Sequence, residues 1–88
     1  MRAKYKQSVE LNVVRYDGSN DSEVDKFVLE SKTIITYQNG VKMSNSLIYI
    51  ENLINPKLVL IGNYVVFENG KLLFLTTNEF NDKFEIIE

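Results

Sequence analysis

The sequence predicts one small α+β domain over residues 1–88, built on a mostly antiparallel sheet of about five to seven strands. Short β-branched and aromatic segments recur along the chain, separated by Asn-Gly, Asp-Gly and Gly-Asn pairs that are typical of turns. One segment instead spaces its apolar residues as a helix does. These observations predict a short amphipathic helix after the first strand and a helical turn near the C-terminus.

The first predicted strand is Val9–Tyr16. Its apolar residues occupy one face up to Val13, and then the opposite face at Val14 and Tyr16, because side chains alternate along a strand. This change of phase indicates either a bulge near Val13-Val14 or burial of both faces.

A helix is predicted over Asp21–Glu30, after the Asp17-Gly18 turn signal. Asn20 is a suitable N-cap, and Glu23 follows three residues later, as in a capping box. The acids of the first turns are interpreted as partners of the helix dipole rather than as catalytic groups. The apolar stripe that should lie on the sheet consists of Val24, Phe27 and Val28.

Several short strands are predicted through the middle of the chain, with an Asn39-Gly40 hairpin turn and a polar break at residues 44–46. These strands are Thr33–Tyr37, Val41–Met43, Leu47–Glu51 and Lys57–Ile61. Asn52–Pro56 is predicted to be a loop, because proline donates no hydrogen bond to a neighbouring strand.

The hairpin over Tyr64–Leu75 is the most specific structural prediction. Asn69-Gly70 suits a type I′ turn, in which both central residues have positive φ. A two-residue loop there pairs Glu68 with Lys71, Phe67 with Leu72, Val66 with Leu73, Val65 with Phe74, and Tyr64 with Leu75. Both faces of this hairpin are apolar, so both should be covered, either by the rest of the chain or by another chain.

After the hairpin, Thr76 or Thr77 is placed to cap a single helical turn that holds Phe80. The alternation of apolar and charged residues over Lys83–Ile87 predicts a closing strand at an edge of the sheet.

Composition excludes several kinds of site. The sequence contains no Cys and no His, which removes thiolate and imidazole metal ligands and the usual general base near neutral pH. We expect no enzymatic activity, no catalytic residues, no metal and no cofactor. No apolar run is long enough for a membrane span, no signal peptide is recognisable, and a cytoplasmic protein is expected.

Charge gives little sign of a nucleic-acid partner. The net charge is −2, and the basic residues are scattered singly rather than interleaved with aromatics, so nucleic-acid binding is not expected. Two charged clusters are interpreted as solvated termini: Arg2, Lys4 and Lys6 at the start, and Glu79, Asp82, Glu85 and Glu88 at the end.

Protein association has the best physical support in the sequence. Three segments are apolar on both faces, namely Leu47–Glu51, Leu58–Ile61 and Tyr64–Leu75, and one short helix cannot cover them all. Barrel closure, a sandwich, a homodimer and a separate partner protein are the alternatives. The predicted protein-binding residues are Tyr49, Tyr64, Val66, Leu73 and Leu75. The alternative function is a small-ligand or nucleotide-binding module, with a pocket between sheet and helix or at a dimer interface.

The two ends of the chain carry a recognisable pattern. A basic lead with Tyr5 runs into a strand that ends in Tyr16-Asp17-Gly18 and Asn20, and the close contains Gly62-Asn63-Tyr64, Gly70, Phe80 and Phe84-Glu85. This pattern resembles a family of small phage and prophage proteins of unknown function. The chain departs from it at residues 44–46, where a Gly-containing segment is usual, and at Asn63, where Asp is usual.

The resemblance implies an accessory protein in the cytoplasm of an infected or lysogenic bacterium. It would bind a bacterial host protein, as an inhibitor or an anti-defence factor. The matching motifs are structural and carry no catalytic residues, so the resemblance supplies no mechanism.

Overall fold

The chain folds into eight strands and two helices within the residues described by the computed structural model, which are 1–5, 10–31, 33, 37, 40–51 and 55–87. The elements are β1 Arg2–Tyr5, β2 Glu10–Arg15, α1 Asp21–Glu30, β3 Val41–Lys42, β4 Ser46–Glu51, β5 Asn55–Leu60, β6 Tyr64–Glu68, β7 Lys71–Leu75, α2 Thr77–Lys83 and β8 Phe84–Ile86. The predicted α+β class is confirmed. Neither of these helices is long and apolar enough to cross a membrane.

The strands form two antiparallel sheets. The larger has five strands in the order β7-β6-β2-β1-β8, and the smaller has three in the order β3-β4-β5. The central strand β2 pairs with β6 in unbroken register from Asn12 opposite Phe67 to Arg15 opposite Tyr64. Val13 and Val14 are both buried, on opposite faces. Burial of both faces, and not a bulge, therefore explains the change of phase in the sequence.

Strand β1 was not predicted. It pairs with β2 on one side and with β8 on the other, and Ala3 opposes both Leu11 and Ile86. The basic start of the chain is therefore part of the larger sheet and not simply a solvated terminus. The sequence gives no signal for it because Ala3, which is fully buried, is too small to mark an apolar face. The predicted closing strand does lie at the edge, as β8.

The β6–β7 hairpin has the predicted register throughout, from Tyr64 opposite Leu75 to Glu68 opposite Lys71. Asn69 and Gly70 have φ of 52° and 75°, as a type I′ turn requires. Each face contributes to a separate core. The first core contains Val14, Tyr16, Val24, Val28, Leu47, Tyr49, Val59, Val65 and Leu72. The second contains Ala3, Val13, Tyr64, Val66, Phe80 and Phe84. Both faces of the hairpin are thus covered within the chain.

The predicted side-chain cap is present at α2, where Thr76 is the N-cap, but not at α1. Helix α1 has the predicted bounds, but Asn20 makes no side-chain cap. Its amide nitrogen donates to the Arg15 carbonyl oxygen and to Glu23 Oε1, each at 2.7 Å, so it braces the preceding turn instead. The capping box lies at α2, where Thr76 and Glu79 satisfy each other's backbone N–H groups. With this cap, α2 extends over Thr77–Lys83 rather than a single turn.

The smaller sheet corrects one loop boundary. Strand β5 begins at Asn55, so Pro56 lies inside a strand, opposite Ile50, and not in a loop. Proline is tolerated there because β5 is an edge strand of this sheet. The predicted return strand is present as β3. The predicted strand over 33–37 and the turn at 39–40 fall mostly outside the described residues, although Tyr37 forms a bridge with Glu51.

We expect Gly70→Val to lower the free energy of unfolding by about 1–2 kcal/mol, because a β-branched residue resists the left-handed conformation. Urea denaturation of the purified variant measures this change. Asn69→Gly is the matched control and should retain the stability of the parent, since glycine also adopts positive φ. Equal unfolding midpoints for Gly70→Val and the parent chain would contradict the turn assignment.

Candidate functional site

An uncharged apolar surface covers one side of the smaller sheet. In the register of this sheet, Val41, Ile48 and Leu58 form one row across the three strands. We call this side the outer face, and its outward positions are Val41, Met43, Ser46, Ile48, Ile50, Pro56, Leu58 and Leu60. None of these eight residues is charged.

The outer face is also well exposed, except at Ser46, which is buried. Exposed fractions are 54% for Val41, 49% for Met43, 49% for Leu58 and 44% for Leu60. Together with the partly exposed Ile48 and Ile50, these side chains present on the order of 400–500 Å² of apolar surface. A patch of this size is comparable with the largest on ordinary monomers, which are frequently functional.

The charged residues of the same strands occupy the alternate positions. Lys42, Glu51 and Lys57 all point away from the outer face, because each is offset by an odd number of residues from the outward set. Two of them are ion-paired with each other, Lys57 Nζ lying 3.4 Å from Glu51 Oε2. The sheet therefore separates its charges from its exposed apolar side chains.

The predicted binding residues lie mostly in the cores. Tyr49 and Val66 are fully buried and Tyr64 is nearly so, while Leu73 and Leu75 are partly buried. The structure brings Tyr64, Val66, Leu73 and Leu75 together in the second core and places Tyr49 in the first. Tyr49, Tyr64 and Val66 therefore pack against other residues of the same chain.

The residues of the outer face were missed for a definite reason. Leu47–Glu51 and Leu58–Ile61 are apolar on both faces, so alternation alone does not tell which face the rest of the chain covers. The one signal in the sequence, Lys57, indicates the wrong face. A charged residue ordinarily marks the solvent side of a strand, whereas Leu58 and Leu60, which have the opposite phase, are the exposed residues of β5.

A cluster of titratable groups joins α1 to the smaller sheet. The Tyr49 hydroxyl donates to Asp25 Oδ1 in a short hydrogen bond. Lys42 Nζ lies 2.8 Å from both Asp21 Oδ1 and the Gly18 carbonyl oxygen, and 5.6 Å from the centroid of the Tyr16 ring. The acids of α1 therefore make long-range contacts in addition to lying near the helix start.

The electrostatics of this cluster favour a structural role. Burial, and then the hydrogen bond to Asp25, raise the pKa of Tyr49 far above its ordinary value, so its hydroxyl remains a donor at neutral pH. The hydrogen bond to Asp21 raises the pKa of Lys42, which stays charged. Among the described residues, no three carboxylates are grouped to hold a metal ion.

A cleft of about 580 Å³ opens between α1 and the larger sheet. Its volume is within the usual range for small-molecule sites. The residues around it are Met1, Asn12, Val13, Val14, Glu23, Lys26, Phe27, Glu30, Ser31 and Phe67. The lining combines apolar and polar side chains, as the lining of small-molecule sites does.

Comparison with protein-family models, with curated proteins and with solved structures gives no match.

We expect Gly40→Ala to destabilise the protein by about 1–3 kcal/mol through overpacking. A Cβ atom at Gly40 would lie 2.6 Å from Asp25 Oδ1 and 2.8 Å from Tyr49 Cζ, which is too close for either contact. Thermal unfolding followed by circular dichroism measures the loss. Ser44→Ala, at an exposed position in the nearby turn, should leave the melting temperature unchanged. A Gly40→Ala protein that melts with the parent would show that Gly40 does not cover this hydrogen bond.

Stability should fall at alkaline pH because the folded state holds the Tyr49 proton more tightly than the unfolded chain, where the pKa is near 10.0. The contribution is fully present below pH 10 and is lost as pH rises from there toward the raised pKa. Between about pH 8 and pH 11, the parent should lose about 1 kcal/mol more stability in urea than Tyr49→Phe. Tyr37, whose pKa is also raised by burial, remains in both proteins. Parallel pH profiles for the two proteins would refute this linkage.

Proposed function

We propose that this chain is a non-catalytic protein-binding domain that docks a partner protein on its outer face. The observation that carries the proposal is the continuous, uncharged set of exposed apolar side chains on β3–β5, with Leu58 at the centre of the edge strand. Exposed apolar patches of this kind are typical of protein interaction sites. Burial of such a patch supplies the hydrophobic part of an interface, and the rim supplies hydrogen bonds.

Strand addition at the edge of the sheet is disfavoured. The smaller sheet has two edge strands, β3 and β5. Strand β3 has only two residues, and Pro56 within β5 has no N–H to donate to an added strand. A partner therefore gains more by packing side chains onto the face than by extending the sheet. The surface it presents should be apolar and uncharged at its centre, because a buried unpaired charge is costly.

The size of the outer face favours a different protein over a second copy of this chain. A standard interface buries about 800 Å² on each partner, roughly twice the apolar area available here. Two copies that met only through their flat outer faces would fall short of that area. A larger partner that also contacts the rim, including the turn at residues 43–46 and the edge of β5, reaches it more readily.

The proposed partner is a bacterial host protein, and the chain would act on it as a phage or prophage accessory protein, either as an inhibitor or as an anti-defence factor. The support for this step is the resemblance of both chain ends to the phage protein family. It requires no catalytic group, because occupation of a host surface is sufficient for inhibition.

A second candidate function is small-ligand binding, and the cleft between α1 and the larger sheet is the observation that favours it. The cleft and the outer face are formed by different strands, so a protein with both activities is physically consistent. The two candidates are separable by substitutions that touch only one site.

We expect a photo-crosslinking residue at position 58 to capture one discrete protein in bacterial cells that produce this chain. The same residue at position 29 should capture none, because Leu29 is comparably exposed, at 42%, but lies on α1 outside the outer face. The captured protein, once purified, should bind the parent chain. Leu60→Asp should weaken that binding about 30-fold or more, as loss of an interface hot spot does.

Leu29→Asp is the matched control and should change the affinity less than about twofold. Melting temperatures of both variants establish that they remain folded. An adduct between two copies of this chain would instead identify a second copy as the occupant of the outer face, and would overturn the proposal of a host partner. The absence of any adduct specific to position 58 would overturn the proposal.

A further inference from the structure

We infer that the cleft between α1 and the larger sheet binds a small organic cation, with an apolar body and an ammonium-type head group. This inference rests on the second candidate function, ligand binding, and does not depend on docking at the outer face. It follows from the shape of the cleft, its aromatic walls and the charges along its rim.

The inside of the cleft is suited to an apolar body. Val14 is buried beneath it, and the rings of Phe27 and Phe67 are only partly buried by the rest of the chain. Phe67 lies opposite Asn12 in the β2–β6 ladder, so an aromatic ring and an amide stand side by side in the larger sheet. A ligand here would contact aromatic carbon and still have one uncharged polar group within the site.

Three charged side chains line the cleft along α1. Glu23, Lys26 and Glu30 are spaced three and four residues apart, which places them along one side of the helix. Glu23 Oε1 accepts a hydrogen bond from Asn20 at 2.7 Å. Within the part of the chain that the structure describes, Lys26 and Glu30 have no ion-pair partner. Glu23, Lys26 and Glu30 are all exposed, so a ligand in the cleft can reach their charges.

The charges along α1 favour one sign of ligand on that side of the cleft. Two carboxylates, Glu23 and Glu30, stand there against one ammonium, Lys26, whereas the positive charge of the Met1 amino terminus belongs to another part of the lining. An anion placed in the cleft would face two like charges, whereas a cation would face two opposite ones. The Phe27 and Phe67 rings act in the same direction, because the faces of aromatic rings attract cations. Each of these terms favours a cationic head group.

The test uses two probes of matched shape and opposite charge, benzylammonium and phenylacetate. Titration of the isotope-labelled parent chain, followed by amide chemical shifts, reports affinity and location together. We expect benzylammonium to bind at least about fivefold more tightly than phenylacetate, with shifts centred on residues 12–14, 23–31 and 67.

Three variants on exposed positions test the role of charge without disturbing the cores. Glu30→Gln should weaken benzylammonium binding about threefold, and Lys26→Gln should strengthen it by a similar factor, because each removes one charge from the rim. Lys71→Gln, on β7 and outside the cleft, is the control and should change nothing. Opposite signs for the two helix variants are not expected from a general loss of structure.

Other outcomes distinguish a failure of this inference from a failure of the second candidate function, small-ligand binding. Tighter binding of phenylacetate would overturn the cationic ligand and leave ligand binding as a function of the cleft. If neither probe shifted the cleft residues at about 10 mM, both the inference and the second candidate function would fall. Docking on the outer face would stand in either case.

Discussion

The register of the β6–β7 hairpin is the constraint on which the rest of the structure depends. Because side chains alternate, this register assigns Val65 and Leu72 to one core and Tyr64 and Val66 to the other. A slip by one residue would exchange the two sets. The stacked rings of Tyr64 and Phe80, whose centroids are 3.9 Å apart, would then lose their contact. The Asn69-Gly70 turn prevents that slip, and so fixes which elements each face accepts.

Helix α1 divides the molecule's candidate functions between its two sides. Asp21 and Asp25, one turn apart, reach the smaller sheet through Lys42 and Tyr49. The opposite side carries the charges that line the cleft. The helix thereby holds the smaller sheet with its inner side against the first core, and this leaves the outer face directed to solvent. Both candidate sites consequently depend on how one helix is placed.

Local patterns in the sequence predicted the elements well wherever two signals agreed. The Asn69-Gly70 turn signal and the register it sets predicted the β6–β7 hairpin. The helical spacing of apolar residues predicted α1 with the bounds that the structure has. Prediction failed where tertiary context decides the outcome. Ala3 marks no apolar face, the amide of Asn20 is used by the preceding turn, and Pro56 is acceptable only because β5 is an edge. The outer face was missed because a doubly apolar strand does not indicate which side the chain will cover.

The pairing of β1 with β8 has a consequence for how the chain folds. Ala3 meets Ile86, so this ladder joins residues from opposite ends of the sequence, whereas the β6–β7 and β4–β5 ladders join near neighbours. The entropy lost in closing so long a loop delays the contact until the intervening elements have condensed. We therefore expect the local β4–β5 and β6–β7 hairpins to form first, and the β1–β8 ladder at the edge of the larger sheet to form last.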